Sequence, residues 1–245
     1  MKLSEVAVKP PKIILYGGFG SGKTCFAMTC GKYAQIIDLD EGLTSAKYFQ
    51  DKFTSQRSEV DILESHETDF TKATAFMKAR SYIQSVAEQC RKGTYPYKVL
   101  IIDSLTNLHE FCMRMVLSNS GKINTKPEYQ HWQLRDIEFL NLCLIIKSLP
   151  IAVIVIAHQQ ASKEEESEAL TPNLPGKSLP NNFFSKFDEL IYLRPRPAAG
   201  GKTEIELINR SSSAVVAKTR SNFTNGLMVD IGCPELLKLM GYELK

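Results

Sequence analysis

Short apolar runs recur along this chain, and most of them give way to an acidic or polar residue. Lys12-Ile13-Ile14-Leu15-Tyr16, Gln35-Ile36-Ile37-Asp38-Leu39, Lys98-Val99-Leu100-Ile101-Ile102-Asp103 and Ile151-Ala152-Val153-Ile154-Val155-Ile156-Ala157 are rich in β-branched residues. Their length and uninterrupted apolar character predict strands buried on both faces. Between them, apolar residues fall at helical spacing. Thr68 to Arg91 carries Phe70, Ala73, Phe76, Met77, Ile83, Val86 and Ala87, then closes on Lys92-Gly93. A basic last turn followed by glycine is a helix C-terminus. Leu105 to Leu117 and Glu128 to Ser148 read as two more helices, with Pro150 ending the second.

The remaining pattern is more broken. Val60 to Leu63 reads as a short strand, 42–58 as polar and irregular, and 161–186 as a long polar connection containing Pro172, Pro175 and Pro180. Loops of that length in a compact domain are functional or disordered. Phe187 to Arg194 predicts a strand, Glu204–Ile208 and Ala214–Lys218 two paired edge strands, and Pro234–Met240 a short last helix. Alternating strands and helices give an α/β fold. Its sheet is mostly parallel, flanked by helices, with antiparallel strands at its C-terminal edge. Residues 1–11 are expected to form an arm and 12–245 a single domain.

Composition narrows the setting. The chain has 245 residues, 43% of them hydrophobic and 23% charged, which suits one large domain with an ample core. It contains neither an internal repeat nor a low-complexity tract. No apolar run reaches membrane-spanning length, and Met1-Lys2-Leu3-Ser4-Glu5 lacks the apolar region of a secretory leader. A cytoplasmic protein is expected. The six cysteines form no CxxC pair and have no zinc-finger spacing, so free thiols in a reducing compartment are the default. A net charge of +3 permits nucleic-acid binding without arguing for it.

Chemistry enters with Gly17-Gly18-Phe19-Gly20-Ser21-Gly22-Lys23-Thr24, which satisfies GxxxxGK[ST] at every fixed position. It follows a predicted strand and runs through Cys25 into a predicted helix, the context a phosphate-binding loop requires. Glycines let successive N–H groups curl around phosphate oxygens, and the helix N-terminus adds partial positive charge. Lys23 would reach the β- and γ-phosphates, and the Thr24 hydroxyl would be a Mg²⁺ ligand. Asp103, at the end of a buried run downstream, has the form of a Walker B acid that holds Mg²⁺ directly or through water. Asp38, Asp40 and Glu41 end the second strand, where ligands sit in parallel sheets. Those acids read equally well as the N-terminal charge of the next helix. His158, at the end of another buried run between amides, reads evenly as structural or as a phosphate contact.

The order of these parts resembles the RecA/RadA-type ATPase core, and in particular the short, core-only RecA-like ATPases of bacteriophages that serve single-strand annealing and recombination. An AAA+ ATPase would carry an all-helical lid after its core, whereas this chain ends in strands. The resemblance spans roughly 12–232 and rests on the phosphate loop, Ile37-Asp38-Leu39-Asp40-Glu41-Gly42-Leu43, Ile101-Ile102-Asp103-Ser104-Leu105 and the strand ending at His158. It implies a catalytic carboxylate at Asp40, where the family's usual residue is Glu, with Glu41 as the neighbouring alternative. It implies that His158 senses the γ-phosphate and that 118–127 and 159–182 are DNA-facing loops. Lys122, Lys126 and Lys177 are then the candidate DNA contacts, or else ordinary solvated lysines. Val215-Val216-Ala217-Lys218-Thr219-Arg220 resembles the segment that delivers basic residues onto a neighbouring subunit's nucleotide.

The resulting expectation is an ATP- and Mg²⁺-dependent ATPase that binds single-stranded DNA and assembles with itself as a filament or ring. Its further partner would be a single-strand-binding protein. Two other classes fit the phosphate loop: a small-molecule phosphotransferase, and a nucleotide-gated DNA-binding module with little hydrolysis.

Overall fold

The computed structural model describes residues 9–44, 60–67, 69, 71–162, 169–176, 178–197, 203–221, 227–229 and 232–244. The uninterrupted apolar runs become central strands: β1 (Lys12–Gly17), β2 (Ala34–Asp38), β4 (Val99–Asp103) and β5 (Ala152–Ala161). With β3 (Asp61–Glu64) and β7 (Glu189–Pro197) they form a parallel array in the order β3-β2-β4-β5-β1-β7. β8 (Thr203–Ile208) and β9 (Leu227–Val229) extend it antiparallel beyond β7. β6 (Leu170–Pro172) folds back antiparallel on the end of β5.

The runs lack polar alternation because each strand feeds two cores. Ile14, Tyr16, Leu100 and Ile102 enter the core beneath α2 (Ala75–Lys92), α3 (Leu105–Asn119) and α4 (Tyr129–Ser148). Ile13, Leu15, Val99 and Ile101 enter the opposite core, covered by α1 (Lys23–Met28) and α6 (Cys233–Leu239). Burial on both faces is what fixes the parallel arrangement.

Three expectations are corrected. The helix expected from Thr68 begins at Ala75, because the Glu67 carboxylate accepts the Ala75 N–H at 2.9 Å and Asp69 accepts that of Thr71, so the chain turns before it coils. The 161–186 connection is not structureless: it contains β6 and a short helix α5 (Leu179–Phe184), with Leu174, Leu179 and Phe183 buried. Residues 214–218 do not pair with β8. Their backbone bonds go to Leu170 of β6 and Leu190 of β7, and β8 pairs instead with β7 and β9. The arm expected over residues 1–11 lies largely outside the described residues. No helix among the described residues is long and apolar enough to cross a membrane.

α3 and α4 run antiparallel, with His109 against Phe139 and Cys112 beside the Arg135 carbonyl. α4 ends where β5 begins, at the amino edge of the sheet. Twenty helical residues extend about 30 Å, against roughly 17 Å for a five-residue strand, so the start of α4 overhangs the carboxyl edge. The turn at 120–128 therefore lies on the side where the phosphate loop sits.

Phe183 is 1% exposed and packs against Phe139 and Phe187, with ring centroids 5.1 and 5.0 Å away. Phe183→Ala is expected to cost about 3–5 kcal/mol in urea denaturation, and Phe183→Leu clearly less.

Candidate active site

The phosphate loop leaves the carboxyl end of β1 and enters α1. Gly20 (φ 68°) and Gly22 (φ 86°) occupy the left-handed region that glycine tolerates. Gly17 is required for another reason: a Cβ there would sit 2.6 Å from the Leu193 carbonyl oxygen. Gly18 borders Gln159, Ser21 and Cys25 are buried, and Phe19 projects at the tip, 89% exposed. The Lys23 ammonium donates to the carbonyls of Gly17 and Gly18 at 3.1 and 2.8 Å. Burial lowers its pKa, against the pull of Asp103 and Asp40.

The Thr24 hydroxyl donates to Asp103 Oδ2 at 2.6 Å. β1 and β4 are not neighbours, since β5 lies between them, so this bond joins the two ends of the site across a strand. Asp103 is 2% exposed. Burial pushes its pKa up to about 6, nearby Asp40 and Asp38 add to the rise, and the Thr24 hydrogen bond opposes it.

Beside it, the end of β2 is shaped by Asp38, whose Oδ1 accepts the N–H groups of Asp40 and Glu41 at 3.1 Å each. Glu41 adopts a φ of 55°, and the turn sends the two acids apart. Asp40 receives the Asn107 side-chain amide at 2.7 Å and lies 3.7 Å from His158 Nε2. Glu41, 64% exposed, faces His66 at 3.8 Å. Asp40 therefore joins the site, and Glu41 points away from it.

His158 stands at the carboxyl side of β5, with its ring 4.9 Å from that of Phe19. Its N–H donates to the Thr106 hydroxyl at 3.4 Å, and its carbonyl accepts from Asn173 N–H at 2.7 Å. Sequence reasoning missed Asn107 and Thr106. Both lie in the first turn of α3, directly after Asp103, and that proximity to the Walker B strand was the available signal.

Lys23, Thr24, Asp40, Asp103 and His158 are thus gathered at one edge. Lys218 and Arg220 are not. Lys218 bridges to Leu190, whose β1 partner Ile14 lies well before Gly17, and its ammonium donates to the carbonyls of Ser185 and Phe187 at 3.2 and 2.6 Å. That is a cation at the C-terminal end of α5, a stabilising placement. Arg220 pairs with Asp188 at 2.9 Å. Lys122 pairs with Glu128, and Lys126 is exposed on the same turn. Lys177 lies outside the described residues, as does the 163–168 acidic cluster.

The oxygen donors Thr24 and Asp103 suit a small hard cation that keeps water and phosphate as its other ligands. Among the described residues no cluster of three or more His, Cys, Asp or Glu offers an all-protein metal cage.

The AAA domain family AAA_24 matches residues 9–221, most of the chain. The chain belongs to this AAA domain family. No curated protein matches it. Among solved structures, one ATPase domain is 14% identical with a TM-score of 0.50, over 98% of this chain and 86% of that one. A prototypical ATPase from the type III secretion system of pathogenic bacteria is also 14% identical, with a TM-score of 0.49 over 76% of this chain. This chain spans 52% of that protein's length. The flagellar accessory protein FlaH from Methanocaldococcus jannaschii is 12% identical, with a TM-score of 0.40 over 82% of this chain and 77% of that one. The fold of this AAA domain is a RecA-like P-loop ATPase core. The AAA label is the one the terminal strands argued against. Past the core, the described residues nevertheless form β8, β9 and the short α6.

Asp103→Asn keeps an acceptor for Thr24 and removes a buried charge. A carboxyl whose pKa is raised to about 6 in the folded chain destabilises the fold above that pH and not below the ordinary carboxylate range. Without Mg²⁺ or nucleotide at pH 8, the variant should melt higher, by at most about 3 kcal/mol. At pH 4 the gain should fall below about 1 kcal/mol. Thermal denaturation at the two pH values measures it.

Proposed function

We propose that this chain is a Mg²⁺-dependent ATPase that works on single-stranded DNA as a homo-oligomer and promotes annealing or strand exchange, in the manner of bacteriophage recombination ATPases. The observation that carries the hydrolytic part is the convergence of Lys23, the Thr24–Asp103 pair and the anchored Asp40 at one sheet edge. Support for the DNA part is the resemblance of the motifs and the basic turn with Lys122 and Lys126 on the same side of the sheet.

In this reading the loop N–H groups and Lys23 hold the triphosphate and offset charge as it shifts toward the leaving oxygen. Thr24 and Asp103 would hold Mg²⁺, which supplies charge neutralisation between the β- and γ-phosphates when bound. Asp40 orients the attacking water and accepts its hydrogen bond. Asn107 and Asp38 keep that carboxylate in place. His158 lies where a side chain can report on the γ-phosphate to the β5–β6 hairpin. Lys218 and Arg220 are too far from their own loop, so they contribute only across a subunit boundary. Lys218 first has to leave its carbonyls, which makes Arg220, half exposed, the better finger.

ATPase rate is the test, measured with and without single-stranded DNA over a range of protein concentrations. The expected result is stimulation by DNA with a rate per subunit that rises with concentration. Asp40→Asn should lower turnover by about 10²-fold or more while nucleotide binding persists, and Glu41→Gln should stay within about threefold. Consumption that needs an acceptor metabolite and ignores DNA would establish a phosphotransferase. DNA annealing that survives both substitutions would establish a nucleotide-gated module.

A further inference from the structure

The overhanging start of α4 carries more than the two lysines. Between α3, α4 and the β6–α5 connection lies a cavity of about 290 Å³ bordered by Thr106, His109, Met113, Trp132, Asn173 and Pro175. Glu110 stands at its edge. That size is near the lower limit for small-molecule sites and admits one planar ring system. Trp132, the only tryptophan in the chain, is 40% exposed, with the Arg135 guanidinium 4.7 Å from its ring centroid. A guanidinium over one face leaves the other for a second flat partner. Tyr129, 78% exposed, lies three residues earlier, on the same helix face. Lys122 and Lys126 lie on the turn leading into that helix.

Below the platform, the interior is polar and incompletely paired. Arg135 is 1% exposed with Nη1 lacking a partner, and His109 is 5% exposed with Nε2 lacking one. Burial and the neighbouring Arg135 push the His109 pKa down to about 3, so it is neutral at working pH. The cavity also touches the catalytic edge. The Thr106 hydroxyl reaches the Asn173 carbonyl and the His158 N–H, both at 3.4 Å.

We propose that this cavity is a nucleobase site, in which one base of a single-stranded DNA stacks on Trp132 while Lys122 and Lys126 meet the flanking phosphates. The proposal rests on the reading of the chain as a single-stranded-DNA ATPase and gives that reading its base contact. Aromatic faces beside cations are how unpaired strands are held. Glu110 accepts hydrogen bonds only, which favours a base with an exocyclic amine, such as cytosine, over thymine. Thr106 and Asn173 connect an inserted base to His158, which gives DNA a physical path to the γ-phosphate side.

Because Trp132 is the only indole, its fluorescence reports on this site alone. Oligo-dC titrated onto the full chain should quench it, with an affinity matching the anisotropy of the labelled oligonucleotide, and oligo-dT should bind more weakly. Trp132→Ala should weaken oligo-dC binding roughly tenfold or more, Trp132→Phe should restore most of it, and a fluorescent ATP analogue should bind both variants like the parent. DNA binding by anisotropy with unchanged indole emission and unchanged Trp132→Phe and Trp132→Ala affinities would overturn the base site and leave the DNA reading standing. Absence of any DNA binding would overturn both. Loss of self-association in Trp132→Ala with DNA affinity intact would make this face a protein contact and overturn the proposal.

Discussion

A buried carboxylate with too little to neutralise it is the constraint around which this structure is arranged. Asp103 sits at the end of a strand enclosed on both faces, within the field of Asp38 and Asp40, and its direct partner is one hydroxyl. Desolvating a charge costs several kcal/mol unless partners repay it. The Lys23 ammonium is held by the loop's own carbonyls and relieves the acids only through space. A site so weighted toward negative charge, beside a glycine-rich loop that opens a helix, is suited to a ligand that brings a cation with it.

Much of this was readable along the chain because it is local. The phosphate loop, the buried runs and Asp103 depend on neighbours in sequence, and the structure keeps them. What could not be read depended on distant partners. Residues 214–218 have strand-like composition, yet their hydrogen bonds are claimed by Leu170 and Leu190, a choice invisible in the segment itself. Asp40 and Glu41 are equivalent as letters. The left-handed turn at Glu41 and the amide of Asn107, far along the chain, separate them. Lys218 likewise looks like a free strand-end cation and instead closes the end of α5.

The carboxyl edge is a continuous polar seam. Asn107 holds Asp40, Thr106 meets the His158 backbone, and Asn173 ties the β5–β6 hairpin to that same His158. Both α3 residues sit within one turn of Asp103. A displacement of that turn would therefore be felt together by Asp40, the histidine and the hairpin. Rigid packing beneath, through Phe139 and Phe183, limits such movement to the edge.

The support of the phosphate loop is scattered in a way that bears on how the molecule is made. β1 is flanked by strands that begin at Ala152 and Glu189, and the six-residue α1 is too short to persist alone. Its final turn is fastened by Thr29 to the Cys233 N–H at 2.7 Å, a link 204 residues long. A ribosome thus delivers the loop well before the strands and the helix that hold it. Until Cys233 has emerged, the loop exists as sequence without a cradle.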